Sequence, residues 1–136
     1  MALMTWDNSY SVGIPSIDEQ HQKLMKMIND LHDGMVAKKS REVLGPILES
    51  LVTYTVEHFD YEEKIFAQTA YPQTASHKQE HAKLKQRALE IRDRFKSSAS
   101  GTLSLEVLNF LRDWLSGHIK GVDKQYSQHL IANNIT

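Results

Sequence analysis

Apolar residues recur along this chain in steps of three and four, the spacing that keeps side chains on one face of an α-helix. Polar stretches containing Pro or Gly divide the pattern into four segments. We call the inward face of each segment a seam. The four seams are Ile17, His21, Leu24, Ile28, Leu31 and Met35; Leu44, Leu48, Leu51, Thr55, His58, Glu62 and Ile65; His77, His81, Leu84, Ala88, Ile91 and Phe95; and Val107, Leu111, Trp114 and His118.

Four amphipathic helices with short connections predict an all-α fold, an antiparallel up-and-down four-helix bundle. Ser16 and Glu19 have the spacing of a capping box, which predicts that the first helix begins near Ser16. We expect Trp6 and Tyr10 to pack an extended N-terminal arm against the bundle. The predicted ranges are an arm over about 1–15, helices over about 16–37, 41–67, 73–96 and 103–119, and a short C-terminal helix or tail over about 121–136.

Composition narrows the class of protein. The chain has 136 residues, 40% of them apolar, which predicts one domain over 1–136 with a single core. A net charge of −1 gives no reason to expect nucleic acid or an anionic membrane as partner. The absence of cysteine excludes thiolate metal sites and cysteine nucleophiles. The start, MALMTWDNSY, lacks the pattern of a secretory signal, and no apolar run approaches a membrane span, so we expect a cytoplasmic protein.

Histidine interrupts the apolar seam of every helix, and Glu62 lies on a seam as well. A single buried histidine is ordinarily bonded to a carbonyl or a water. Burying an ionised carboxylate costs several kcal/mol unless a cation compensates it, and no Lys or Arg occupies a seam position. A metal cation satisfies the imidazoles and the carboxylate together. The histidines concerned are His21, His58, His77, His81 and His118.

The spacing of these residues also favours metal ligation. His58 and Glu62 are four residues apart, as are His77 and His81, so each pair differs by about 40° around its helix and reaches one cavity. Asp123 follows His118 by five residues, which on an ideal helix is about 140° away. If the last helix ends or bends at Gly121, Asp123 would be brought back toward the site. Without that break, Asp123 would be an ordinary capping or surface residue.

The number of candidate ligands predicts how many ions they hold. Five imidazoles and two carboxylates exceed the needs of one tetrahedral ion or one octahedral ion. Two ions bridged by the carboxylates and a hydroxide fit better, and they leave a coordination position open for a small ligand. Histidine and carboxylate suit iron, manganese, zinc and copper, so the ligand types leave the metal open.

The stretch EHFDYEEKIF, residues 57–66, contains four acidic side chains around His58. Asp60 lies about 200° from His58 and Glu63 about 140°, so both are predicted to face outward, and Glu57 is also off the seam. Only Glu62 shares the inward face with His58. This phase predicts that Glu62→Ala disrupts the metal site and that Glu63→Ala leaves it nearly intact.

Four motifs together resemble the bacterial hemerythrin family: IDEQH at 17–21, HFDYEE at 58–63, HKQEH at 77–81 and WLSGHIKGVD at 114–123. The resemblance implies a non-haem centre of two iron ions with an oxo or hydroxo bridge, which binds O2 reversibly as a ligand. One iron would be held by His77, His81 and His118. His21 and His58 would hold the other, which keeps the open position, and Glu62 and Asp123 would bridge both.

The resemblance further implies a role in oxygen storage, transport or sensing rather than enzymatic activity. Alternatives on the same scaffold are a di-iron oxidase, a peroxidase, a nitric-oxide-handling enzyme and an iron buffer. The chain lacks the Glu-x-x-His motif of di-iron oxidases in ferritin-like bundles, which favours binding over oxidation. The protein partner stays open. The O2 pocket that the resemblance implies is lined by Leu24, Phe59, Trp114, Leu115 and Ile119.

Overall fold

The computed structural model of the protein describes residues 3–39, 41–97 and 105–136, and within these ranges it contains helices and no strand. The α4 and α5 helices are joined by a π-helical turn, His118–Val122, and a 3-10 turn, Asp123–Tyr126. The predicted all-α bundle is confirmed. The helices are α1 (Pro15–Val36), α2 (Arg41–Thr69), α3 (Thr74–Ser97), α4 (Leu105–Gly117) and α5 (Ser127–Ala132).

Short connections determine how the long helices pack. Residues 37–40 join α1 to α2, and residues 70–73 join α2 to α3, so consecutive helices run antiparallel. The α2 helix packs against α1 and α3, and α1 also contacts α4. No helix in the described part of the chain is long and apolar enough to cross a membrane.

The first helix begins one residue earlier than the capping-box pattern predicts. Ile14 is the N-cap and makes no side-chain cap, while Pro15 takes the first helical position, where its missing N–H is no loss. The prediction that Ser16 and Glu19 form a capping box is therefore wrong. Asp18 instead reaches back to the arm, where it accepts hydrogen bonds from the hydroxyl of Ser11 at 2.5 Å and from the N–H of Val12 at 2.9 Å.

The C-terminal segment is part of the folded body and not a loose tail. The α-helical hydrogen bonding of α4 ends at Gly117, two residues before the predicted end, and residues 103 and 104 of the prediction lie outside the described ranges. The hydroxyl of Ser127 donates to the carbonyl of Val12. Nε2 of His129 lies 2.8 Å from the carbonyl oxygen of Thr69. These contacts fasten α5 to both the arm and the end of α2.

The N-terminal arm packs on the bundle, as expected from its aromatic residues. Trp6 and Tyr10 stack with ring centroids 5.5 Å apart. Tyr10 is buried in the core, and Trp6 packs against it. The ammonium of Lys120 lies 4.3 Å from the centroid of the Tyr10 ring. The arm is therefore held at its aromatic end by the segment that also carries His118 and Asp123.

Two apolar clusters fill the core, one on either side of a polar layer. The larger cluster takes residues from all four long helices, including Leu24 and Leu115, and also contains Ile119 of the π-helical turn. The smaller cluster joins the arm, the start of α1, the end of α2 and the C-terminal segment, and it includes Ile17 and Tyr126. His21 lies between Ile17 and Leu24 on α1. The predicted ligands thus occupy a layer that apolar residues close off in both directions along the bundle.

Candidate metal centre

The structure brings together all of the predicted metal ligands, and it buries every one of them. None is more than 6% exposed, and Glu62, Asp123 and His21 are 0% exposed. Burial of this kind is expensive for carboxylates and imidazoles unless they are paired or hold a cation. The residues are His21, His58, Glu62, His77, His81, His118 and Asp123.

The ligand atoms form two overlapping groups, in each of which all atoms lie within 4.8 Å of one another. We call them the three-histidine group and the two-histidine group. Glu62 and Asp123 belong to both. The three-histidine group adds His77, His81 and His118 to these carboxylates, and the two-histidine group adds His21 and His58.

Asp123 presents one oxygen to each group. Its Oδ1 lies 3.1 Å from Nε2 of His77 and 3.0 Å from Nε2 of His118. Its Oδ2 lies 3.1 Å from Nε2 of His21. A carboxylate in this position can give one oxygen to each of two cations.

Glu62 also lies between the two groups, but one of its oxygens, Oε1, approaches imidazoles of both. Its Oε1 is 3.1 Å from Nε2 of His81 and 3.6 Å from Nε2 of His58. Its Oε2 is 3.8 Å from Nε2 of His21. The hydroxyl of Tyr126 donates a hydrogen bond to the same Oε2. Glu62 is therefore close to imidazoles of both groups, and the buried phenol of Tyr126 holds its Oε2.

A π-helical turn explains how Asp123 reaches the centre. The N–H of Asp123 donates to the carbonyl of His118, five residues back, and also to that of Ile119. A turn closed over five residues is wider than an α-helical turn and brings positions 118 and 123 onto one face. The break in the helix that Asp123 needs is therefore present, but it begins after Gly117 and takes the form of a widened turn that runs through Gly121, not an end or bend at that glycine.

Burial and mutual attraction shift the ionisation of these groups in different directions. Burial lowers the pKa of His58 to about 4, so this imidazole is neutral at neutral pH. Burial opposes ionisation of Asp123, but the attraction of His118, and then of His21 and His77, holds the pKa of Asp123 well below its ordinary value. Burial likewise disfavours charge on His118, and the adjacent Asp123 outweighs it and raises the pKa of His118.

The ligand set is incomplete without a cation. Several of its buried polar atoms form no hydrogen bond within the described part of the chain, although imidazole nitrogens and carboxylate oxygens approach one another to 3.0–3.1 Å. Buried polar atoms in native proteins almost always have a partner, so unsatisfied atoms that converge on one point indicate a missing ligand. Imidazole and carboxylate donors fit a first-row transition ion. The atoms are Glu62 Oε1, His77 Nε2, His81 Nε2, His118 Nε2 and both oxygens of Asp123.

Two ligand imidazoles have partners that the sequence pattern missed. Oε2 of Glu63 lies 3.1 Å from Nδ1 of His81, and Oε1 of Gln20 lies 2.6 Å from Nδ1 of His58. Glu63 is 27% exposed at its side chain. The prediction that Glu63 faces outward, away from the site, is therefore wrong, because a side chain at the edge of the inward face can bend back to an imidazole on α3. Asp60 and Glu57 are exposed, as expected.

Tyr126 is the other functional residue that the sequence analysis missed. It is completely buried, and burial, together with Asp123 and Glu62, raises its pKa well above the usual value. A usable signal existed, since Asp123, Tyr126 and Leu130 continue the steps of three and four residues. The predicted short helix or tail over residues 121–136 does not extend this inward face past Asp123.

The residues expected to line an O2 pocket are mostly buried beside the ligands. Leu24, Leu115 and Ile119 lie in the larger apolar cluster. Phe59 stacks on His81 with ring centroids 4.0 Å apart. Trp114 lies edge-on to Phe59 at 6.2 Å and is partly buried. Phe59 and Trp114 therefore lie beside imidazoles of the three-histidine group, Trp114 with its ring centroid 6.3 Å from that of His118.

Comparison with known proteins agrees with this geometry. The family model of the Hemerythrin HHE cation binding domain matches residues 12–130. Bacteriohemerythrin of Stenotrophomonas maltophilia is 35% identical over 133 residues, which cover 98% of this chain and 85% of that protein. Bacteriohemerythrin of Methylococcus capsulatus is 35% identical and is covered completely, by 97% of this chain.

Solved structures of hemerythrins have the same fold as this chain. The crystal structure of a wild-type hemerythrin has a TM-score of 0.87 and 35% identity, covering 95% of this chain and 98% of that one. A leucine-to-alanine mutant of hemerythrin has a TM-score of 0.88 and 34% identity, covering 96% and 98% of the two chains. Fold, sequence and the buried histidine–carboxylate cluster agree, and the chain belongs to the hemerythrin family.

Proposed function

We propose that this protein binds O2 reversibly at a centre of two iron ions. The observation that carries the proposal is the pair of buried donor groups that share Glu62 and Asp123. Membership of the hemerythrin family implies non-haem iron at these groups. The residues proposed as ligands are His21, His58, Glu62, His77, His81, His118 and Asp123.

The unequal donor groups give the centre one site for a small ligand. His77, His81 and His118 with the two carboxylates supply five protein donors to one ion. His21 and His58 with the same carboxylates supply four, which leaves room at the second ion. A bound ferrous pair would supply the two electrons that oxygen takes up on binding and returns on release. Glu62 and Asp123, which belong to both donor groups, would keep the two ions in place through that cycle.

The surrounding residues restrict water and protons. We assign the pocket for O2 to Leu24, Phe59, Trp114, Leu115 and Ile119. The assignment is supported by the burial of Leu24, Leu115 and Ile119 in the larger cluster and by the ring contacts of Phe59 with His81 and of Trp114 with His118. A dry pocket slows the proton delivery and loss of reduced oxygen that would leave the irons oxidised. The donor set is rich in neutral imidazole and contains two carboxylates, so it stabilises highly oxidised iron less than a glutamate-rich site. Both features favour binding over oxidation of a substrate.

Oxygen cycling of the iron-loaded protein tests this function. The protein is loaded anaerobically with two ferrous ions per chain, exposed to air, and then returned to an oxygen-free atmosphere while its visible spectrum is recorded. We expect an absorption band that appears with oxygen, disappears on its removal, and reappears over several cycles.

Two other outcomes would contradict the proposal. Irreversible bleaching, together with turnover of added peroxide, nitric oxide or a reducing substrate, would indicate an enzyme. Release of iron on the first exposure to air would indicate an iron buffer. A Glu62→Ala variant, which removes a shared carboxylate, provides the control without a complete centre.

A further inference from the structure

The imidazoles of the two donor groups have different partners behind them. His81, in the three-histidine group, has the carboxylate of Glu63 at Nδ1, 3.1 Å away. His58, in the two-histidine group, has the amide oxygen of Gln20 at Nδ1, 2.6 Å away. Nδ1 of His21 and Nδ1 of His118 are buried and have no hydrogen-bond partner within the described ranges. Each group therefore contains one supported imidazole, and the support differs in charge.

Both partners fix the direction of the ring they contact. Carboxylate oxygens and amide oxygens only accept here, so Nδ1–H of each imidazole donates and Nε2 carries the lone pair. Nε2 of His58 also lies 3.1 Å from Nε2 of His21, within the same group. Nε2 of His81 and Nε2 of His58 do lie beside Glu62, at 3.1 and 3.6 Å from its Oε1. Both supports therefore fix the same tautomer, although the amide oxygen of Gln20 is closer to its imidazole, at 2.6 Å, than the carboxylate of Glu63 is to its own, at 3.1 Å.

The two supports differ in their effect on the strength with which the imidazole donates electrons to a metal. A negatively charged acceptor strengthens the hydrogen bond from Nδ1 and makes Nε2 a stronger electron donor to a metal. A neutral amide does this much less. The three-histidine group has the larger number of donors and also the charged support, so both differences favour the same ion position.

We propose that Glu63 makes the three-histidine group the tighter metal position, which fills first and exchanges last, while Gln20 keeps the two-histidine group weaker. Glu63 and Gln20 are positioning residues, since each acts through a ligand imidazole. The inference deepens the proposed function, on which it rests for the presence of two ions. With this order of metal binding, the ion at the three-histidine group would stay bound. Loss and rebinding of metal would be confined to the two-histidine group, which has the open coordination position.

Anaerobic titration of the metal-free protein with Co(II) alone tests the inference. Calorimetry and the visible bands of bound Co(II) give the affinities of the first and second ion. We expect Glu63→Gln, which keeps the acceptor and removes the charge, to weaken the first step about 10- to 100-fold. We expect Gln20→Glu to tighten the second step by about tenfold, as the reciprocal of that loss.

Two control variants remove a neighbouring charge of the same kind without touching a ligand. Asp60→Asn changes an exposed carboxylate three residues before Glu63, and Glu19→Gln changes an exposed one next to Gln20. Both should leave both affinities within about twofold of the unmodified protein. The melting temperature of each metal-free variant should stay unchanged, which separates an effect on the metal from an effect on folding.

The inference would be overturned if Glu63→Gln left both steps unchanged or weakened them equally. It would also be overturned if Gln20→Glu tightened the first step instead of the second. Fewer than two Co(II) ions per unmodified chain would overturn the two-metal centre on which both proposals rest. A protein that loads in two unequal steps, with the expected shifts in both variants, but fails the oxygen cycle would lose the proposed function and retain this inference.

Discussion

Each carboxylate at the centre has a role that depends on where its two oxygens lie. Both oxygens of Asp123 and both of Glu62 are buried between imidazoles of the two groups. Glu63, one residue along α2, touches only the outer nitrogen of His81. Glu62 and Glu63 therefore contact different atoms, because one residue along a helix turns a side chain by about 100°.

Removal of Asp123 should separate the two ion positions. In Asp123→Ala, the oxygens that face His77, His118 and His21 are lost, so we expect iron content to fall from two ions per chain to one or fewer. Iron analysis of the purified protein measures this directly. Asp113→Ala removes an exposed carboxylate paired with Arg112 and should keep two ions. Full iron occupancy in Asp123→Ala would show that Asp123 is not a ligand.

Truncation of Leu115 should let water into the pocket. Leu115 is 1% exposed, and replacing it by Ala should cost about 2–5 kcal/mol of stability and speed the spontaneous oxidation of the oxygenated protein. Leu108→Ala is a matched control, because Leu108 is equally buried and lies seven residues earlier on α4. It should lose similar stability with an unchanged oxidation rate. If the two variants oxidise at the same rate, Leu115 does not line the pocket.

At the scale of elements, the π-helical turn brings Asp123 to the centre, a role for which the sequence indicated Gly121. A Cβ built on Gly121 would meet no other atom of the described residues within 4 Å, apart from those of its own turn. Gly13, by contrast, has a φ of +75°, and a Cβ there would lie 3.2 Å from Cδ1 of Ile131. The two glycines therefore have different structural importance.

Substitution of each glycine by alanine should reveal that difference. Gly121→Ala should keep two irons per chain and should keep or raise the melting temperature of the metal-free protein, because alanine favours helix by about 0.5–1 kcal/mol. Gly13→Ala should destabilise by about 1–2 kcal/mol, because alanine tolerates a positive φ poorly. A fall in iron content in Gly121→Ala would restore the earlier explanation, in which the glycine itself places Asp123.

The elements also show how far sequence alone could go. The steps of three and four residues predicted the long helices and the buried faces of α1 and α2, because a continuous α-helix has one period. The structure places Asp123 among the other candidate ligands, but the manner in which it reaches them is not predictable from sequence, since an ideal helical phase does not describe a π turn. Glu63 and Gln20 were missed because contacts between helices depend on side-chain reach, which a single-helix phase does not include. Tyr126 is not predicted because the inward face continues past Asp123 through turns of different helical period.

For the whole molecule, a buried centre of this composition predicts acid sensitivity once the metal is removed. The pKa of His58 is about 4 in the folded protein and about 6.5 when unfolded, so the unfolded chain binds the extra proton between these values. The stability that neutral His58 provides is present above pH 6.5 and is lost as pH falls toward 4, by up to about 3 kcal/mol. The lowered pKa of Asp123 acts in the same direction at lower pH, and the raised pKa of His118 acts in the opposite one.

Urea unfolding of the metal-free protein between pH 7.5 and 4.5 measures this effect. We expect the unfolding midpoint to fall as the solution is acidified. His58→Leu removes the titrating group and should reduce the fall between pH 6.5 and 4.5. A midpoint that stays level or rises on acidification would contradict the assignment of a neutral, buried His58.

The central claim is that two irons, held by shared carboxylates in an apolar core, bind and release oxygen as one unit. Its most direct test is the stoichiometry of oxygen uptake by the anaerobically loaded protein, measured with an oxygen electrode together with iron analysis. We predict one O2 taken up for every two irons, and recovery of the same amount when the oxygen pressure is lowered. Uptake that is not recovered, or that bears no fixed ratio to iron pairs, would contradict the account.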